Sequence, residues 1–158
     1  MFLLLACLSG EDTGTLESES PVDTGPLWSP PQVLINELMA DNEGSLLVDQ
    51  ESPDWVELFN ADEDPLDLTG WSLSDDPDEP DRQSLSGVLE AGGFLLVILD
   101  FGLAAEGEQV GLYAPGGAPL DRVHFGAQQP DVAAARRPDG GSDWVYVWGG
   151  SPGASNPE

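Results

Sequence analysis

DWVELFNADEDPLDLTGWSLSDD, residues 54–76, decides the fold. Val56 and Leu58 alternate with Trp55, Glu57 and Phe59, the period of two that marks a half-buried strand. Asn60 to Pro65 is polar and ends in a proline, so it reads as a turn. Leu66 and Leu68 restart the alternation, Gly70 punctuates it, and Trp71 and Leu73 begin it again. No helical period fits any part of the stretch. It therefore predicts strand, turn, strand, turn, strand.

Working outward, the same texture continues on both sides. Gln32 to Met39 reads as a strand with Val33, Ile35 and, less cleanly, Glu37 on one face. Ala40 to Pro53 is a long polar connection with an apolar patch at Leu46-Leu47-Val48, a loop length that often carries function. Gln83 to Val88 predicts one short strand. Phe94 to Leu99 is a continuous apolar run between Gly-Gly and Asp100, as expected of a strand buried on both faces. Gln109–Ala114 and Pro119–Gly126 form a hairpin across Pro115-Gly116-Gly117, with Val110, Leu112, Val123 and Phe125 inward and Arg122 and His124 outward or lateral. Val132–Arg137 predicts an edge strand, and Trp144–Trp148 closes the sheet. About seven to nine short strands with regular turn signals describe an all-β sandwich of immunoglobulin-like kind, essentially without helix.

Charge narrows the function classes. The chain carries 30 acidic residues against four basic ones, a net charge of −26, and contains no lysine. From Pro31 onward there are 25 acids and four arginines, a net charge of −21. Such a surface repels phosphate backbones, so no nucleic acid is expected as a partner. It also repels anionic membrane surfaces and attracts basic partners.

The chain divides into three. Residues 1–7, MFLLLAC, resemble the lipobox of bacterial lipoprotein signal peptides, truncated and without a basic n-region. The resemblance implies lipidation at Cys7, the single cysteine, which excludes an intramolecular disulfide. It implies an exported, membrane-anchored lipoprotein of the outer membrane or cell surface; the alternative is secretion. Contact with the membrane would then be through that lipid only. Residues 8–31 are rich in Ser, Thr, Gly, Pro and acids, and read as a disordered acidic tether. Asp-Thr-Gly occurs there twice, at 12–14 and 23–25, but in low-complexity sequence it lacks the core-strand setting of an aspartic protease. Residues 32–158 are the folded domain.

INELM, DWVELFN, DLTGWSLSDD, LEAGGFLLVILD, GEQVGLYAPGG, DRVHFGAQ, RRPDGGSDW and SPGASN, in that order across about residues 34–156, resemble the bacterial form of the lamin tail domain. The resemblance implies an immunoglobulin-like sandwich. It also implies a non-catalytic interaction module: such domains serve as one in animal lamins, and in bacteria they occur in exported proteins, often beside nucleases or phosphatases. The partner implied is a protein or cell-surface component.

Chemistry offers few candidates. His124 is the single histidine and has no nucleophile or ligand set near it in sequence, so it reads as a flank residue. Zinc lacks its usual ligands. A pair of carboxylates for a hydrolase is available by number alone in so acidic a chain, and the sandwich offers it no specific support. The sharpest motif is DDPDEPD. Asp75, Asp76, Asp78, Glu79 and Asp81 crowd carboxylates that calcium, a hard cation, would accept, without the spacing of an EF-hand loop. A calcium-dependent structural or adhesion module is the alternative function this loop supports. No other cofactor is expected. Of the tryptophans, Trp71 is expected in the core, while Trp55 and Trp148 are equally compatible with core packing and with a stacking surface. Arg136-Arg137 is expected to pair with nearby acids.

Overall fold

The computed structural model describes residues 31–158. The strands are β1 (Val33–Met39), β2 (Trp55–Asn60), β3 (Leu66–Asp67), β4 (Ser72–Ser74), β5 (Gln83–Ser84), β6 (Val88–Leu89), β7 (Phe94–Ile98), β8 (Gln109–Ala114), β9 (Ala118–His124), β10 (Val132–Arg136) and β11 (Trp144–Trp148). No helix occurs among the described residues. The count exceeds expectation because β3, β5 and β6 are two-residue ladders.

Two antiparallel sheets face each other. One has five strands in the order β11-β10-β1-β2-β7, the other four in the order β5-β4-β8-β9; β3 and β6 form a small ladder beside them. Between the two sheets lie Ile35, Leu38, Val56, Leu58 and Val97 from the first and Leu73, Val110, Leu112 and Val123 from the second. Trp71, Leu68, Leu85 and Leu89 continue this core towards the small ladder. Each of the larger side chains adds roughly 1.5–3 kcal/mol on leaving water. The arrangement is an all-β sandwich, as the alternation in residues 54–76 predicts.

A β-bulge sets the geometry of everything described below. β1 and β2 pair Ile35 with Leu58 but Glu37 with Glu57, so Asn36 is the extra residue. A bulge reverses the phase of the strand beyond it. Ile35 and Leu38 therefore both point into the sandwich, and Glu37 and Met39 go to its outer face. The expectation that Glu37 shares a face with Val33 and Ile35 is corrected by this one residue. The main chain of Ile35, just before the bulge, faces away from β2. Its N–H donates to Asp121 Oδ2 of β9 at 2.9 Å and its C=O accepts from Arg136 Nε at 2.8 Å. One corner of the sandwich is stitched shut in this way.

Three further expectations change. Residues 83–88 are not one strand: β5 belongs to the four-stranded sheet and β6 pairs with β3, with Gly87 at φ +95° between them. Phe94–Ile98 is an edge strand, half-buried rather than buried on both faces; its apolar run covers Phe59, whose ring stacks on Phe94 at 4.9 Å. Val132–Arg136 is interior, between β1 and β11, and its three alanines are buried because neighbouring strands lie on both sides. The edge is β11.

Candidate functional site

Two regions stand out, one closed and one open. The closed one lies on the outer face of the five-stranded sheet. Glu37 and Glu57 sit directly opposite each other on β1 and β2, and both are fully buried. Like charges directly opposite across a ladder repel, and buried carboxylates need donors. The donors come from the C-terminal segment after β11, which crosses this face as a strap. Ser151 donates its N–H to Glu37 Oε2 at 3.0 Å and its hydroxyl to the same oxygen at 3.2 Å. Gly153 N–H donates to Glu57 Oε2 at 2.6 Å, and Asn36 Nδ2 to Glu57 Oε1 at 3.4 Å.

The strap is held at its far end by two side chains. Asn156 Nδ2 donates to Arg136 C=O at 2.9 Å, and its Oδ1 lies 2.8 Å from Ser151 Oγ, whose single proton it shares with Glu37. Asp139 accepts from Asn36 Nδ2, from Asn156 N–H and from the Ser155 hydroxyl. Gly150 adopts φ +65°, and a Cβ there would lie 2.8 Å from the Trp55 ring and 3.1 Å from Glu37 Oε1. Only glycine lets the strap pass so close. Beneath it, Met39, Trp55 and Ala133 form a second small core.

These contacts leave the acids short of compensation. Desolvation pushes Glu57 up from 4.5 to about 7, against the pull of the Gly153 and Asn36 donors. Desolvation raises Glu37 too, opposed by Ser151 and reinforced by the charge of Asp139. No cation is among the groups acting on either. The pair is thus two carboxyls, at least one ready to hold a proton at mildly acidic pH, and neither is exposed to solvent. The sequence left them as an unspecified carboxylate pair. The signal that could have found them is the repeated Asn-Glu or Val-Glu inside an otherwise apolar strand, INELM and WVELF.

The residues singled out by sequence lie elsewhere. Cys7, the lipobox-like run and the tether to residue 30 fall outside the described residues. The loop from Asp75 to Asp81 leads from β4 to β5 on the surface. Asp75 pairs with the Arg82 guanidinium, which also covers the Phe101 ring at 4.6 Å. Asp76 Oδ1 accepts from Asp78 N–H at 2.8 Å, and Asp76 N–H donates to Ser74 Oγ. The loop is thus built on local turns and an ion pair. Among the described residues no three His, Cys, Asp or Glu side chains gather as a metal site would require.

His124 is exposed on β9, at the rim of a shallow hollow with Asp75, Glu106, Glu108 and Phe125. The loop of residues 41–53 is organised by two side chains. Asn42 Nδ2 donates to the carbonyls of Leu46 and Pro53 at 2.7 and 2.8 Å. Asp131 Oδ1 accepts the N–H groups of Glu43, Gly44 and Ser45, and Ser45 leads the contacts that lower its pKa. Asp54 goes the other way: desolvation raises it despite the Leu103 N–H it accepts. Arg136 does pair with an acid, Asp121, at 3.2 Å, and it stacks on Trp144. Arg137 has no such bridge among the described residues, and its Nε is buried without a partner.

The open region is β11. Its register with β10, with Arg137 N–H on Asp143 C=O and Gly149 N–H on Asp131 C=O, turns the main-chain groups of Val145 and Val147 inward. Those of Trp144, Tyr146 and Trp148 face away from the sheet. Trp71 and Trp55 are buried, whereas Tyr146 is 65% and Trp148 76% exposed.

With this geometry in view, the lamin tail domain family model matches residues 28–127. The chain belongs to the lamin tail domain family. This membership and the two facing sheets agree on an immunoglobulin-like sandwich. The match ends before β10, so the last two strands, the strap and the blocks RRPDGGSDW and SPGASN lie beyond the lamin tail match although β10 pairs with β1 in the middle of the sheet. No curated protein and no solved structure matches the chain.

Proposed function

We propose that this lamin tail domain is a non-catalytic interaction module displayed at the cell envelope. A lipid on Cys7 anchors it, residues 8–31 act as an acidic spacer, and the sandwich meets a protein or cell-surface component. The observation that carries the non-catalytic part is the state of the acids. Glu37 and Glu57 are the described carboxylates most like a catalytic pair, and both are fully buried, with Ser151 and Gly153 of the strap donating to them. A hydrolase needs such a pair in a cleft that admits sugar or water. The anchoring part is supported by the apolar run that ends at Cys7. Metabolic labelling with radioactive palmitate tests it, in cells expressing the gene from its own locus. Label is expected in the wild type and absent from Cys7→Ser; an unlabelled wild type contradicts the anchor.

A further inference from the structure

The geometry points to β11 as a docking edge for an extended, lysine- or arginine-rich segment that adds to the five-stranded sheet as a sixth strand. This rests on the interaction-module reading and names the partner chemistry of that module. The sheet edges are not alike. β5 is two residues long. β9 is stitched to β1 through Asp121. At the end of β7, Gln83 accepts from Asp100 N–H and donates to Ile98 C=O. β11 lacks three features that guard natural edges: it contains no proline, no charge and no bulge. It presents the N–H and C=O groups of Trp144, Tyr146 and Trp148 to whatever lies alongside. Main-chain bonding supplies affinity in strand addition, and alternate side chains supply selectivity.

Charge selects the occupant. Asp143, exposed, directly precedes β11, and Asp131 lies across from its far end. The body around them carries 25 acids and no lysine. Of the four arginines, Arg82 and Arg136 are spent on Asp75 and Asp121. A second copy of this chain would bring a further net charge of −26 against the first, and residues 8–31 carry five acids and no base. A basic strand avoids that repulsion. Its cationic side chains would pass over the exposed rings of Tyr146 and Trp148, where cations bind aromatic faces.

The test uses the full chain in solution, so its result is independent of the Cys7 anchor. A short capped peptide alternating lysine and valine is titrated by calorimetry and by amide NMR at low ionic strength, beside its glutamate–valine counterpart. The lysine peptide is expected to bind saturably and to slow exchange of the Tyr146 and Trp148 amides. Tyr146→Ala/Trp148→Ala, exposed positions that leave the core intact, is expected to weaken binding about tenfold. Tyr146→Pro removes an outward N–H and is expected to weaken it further. Four results would overturn the proposal: no saturable binding, equal binding by the glutamate peptide, binding unchanged in the double alanine variant, or a concentration-dependent dimer that the same substitutions abolish.

Discussion

Two acidic regions of this molecule invite opposite expectations. Between Asp75 and Asp81 five carboxylates are packed into seven residues, and at Glu37 and Glu57 only two meet across a ladder. The crowded group is on the surface, where water and Arg82 absorb its charge. The sparse pair is buried, where each charge must be met by a donor or a proton. Local density of acids thus says little about their energetic weight. Burial decides it, and here burial is imposed by the strap.

The largest expected effect is at the strap's far end. Asn156→Ala leaves the Arg136 carbonyl without the amide that donates to it and removes the tie to the Ser151 hydroxyl, which keeps Glu37, and is expected to cost about 2–3 kcal/mol in denaturant unfolding. A cost under about 0.5 kcal/mol would mean the strap does not hold the acids closed.

Next comes pH. The folded Glu57 carboxyl keeps its proton to about 7, while an unfolded one releases it near 4.5. The folded state therefore binds more protons in that window, and stability falls as pH rises through it. The full contribution is present below 4.5 and is gone above about 7. Glu57→Gln is expected to remove a share of this slope on the order of 2 kcal/mol. Thermal unfolding curves for both proteins between these limits measure it; parallel pH dependences would break the contrast between buried and surface acids.

Gly150→Ala forces an alanine into φ +65° with its Cβ against the Trp55 ring. A loss of about 1–2 kcal/mol is expected, seen as a lower melting temperature. The smallest effect belongs to the crowded loop. Asp76→Asn/Asp78→Asn keeps the side-chain oxygen that caps the Asp78 N–H and is expected to stay within about 0.5 kcal/mol of wild type. A large, calcium-dependent stability difference between the two proteins would restore the loop as the energetically important acidic region.

How much of this was legible in the sequence depends on residue-level causes. Alternation in DWVELF located β2 and put Val56 and Leu58 in the core, but the strand is not half-buried: Trp55 and Glu57 on its other face are fully buried too, under a strap that the alternation does not announce. Trp71 in the core and the β8–β9 hairpin followed from the same rule. The face of Glu37 was not legible, because one bulged residue, Asn36, reverses the phase and leaves no mark in composition. The order of β10 and β11 was not legible either. Ala-Ala-Ala looks less like a central strand than Trp-Val-Tyr-Val-Trp, but its small side chains are buried on both faces, Ala134 in the core between the sheets and Ala133 against Met39 and Trp55. The carboxylate pair escaped notice because its residues are far apart in sequence and its donors come from Ser151 and Gly153, a segment that reads only as a Gly/Pro-rich tail. DDPDEPD drew notice because it is contiguous, which is not a physical property of a site.

The domain is closed over its buried acids and open at β11. Amide hydrogen exchange on the full chain at neutral pH tests both halves at once. Slow exchange is expected at Ser151 and Gly153, whose N–H groups donate to Glu37 and Glu57, and fast exchange at Tyr146 and Trp148, whose N–H groups face outward. Fast exchange at Ser151 and Gly153 together with protection at Tyr146 and Trp148 would contradict it.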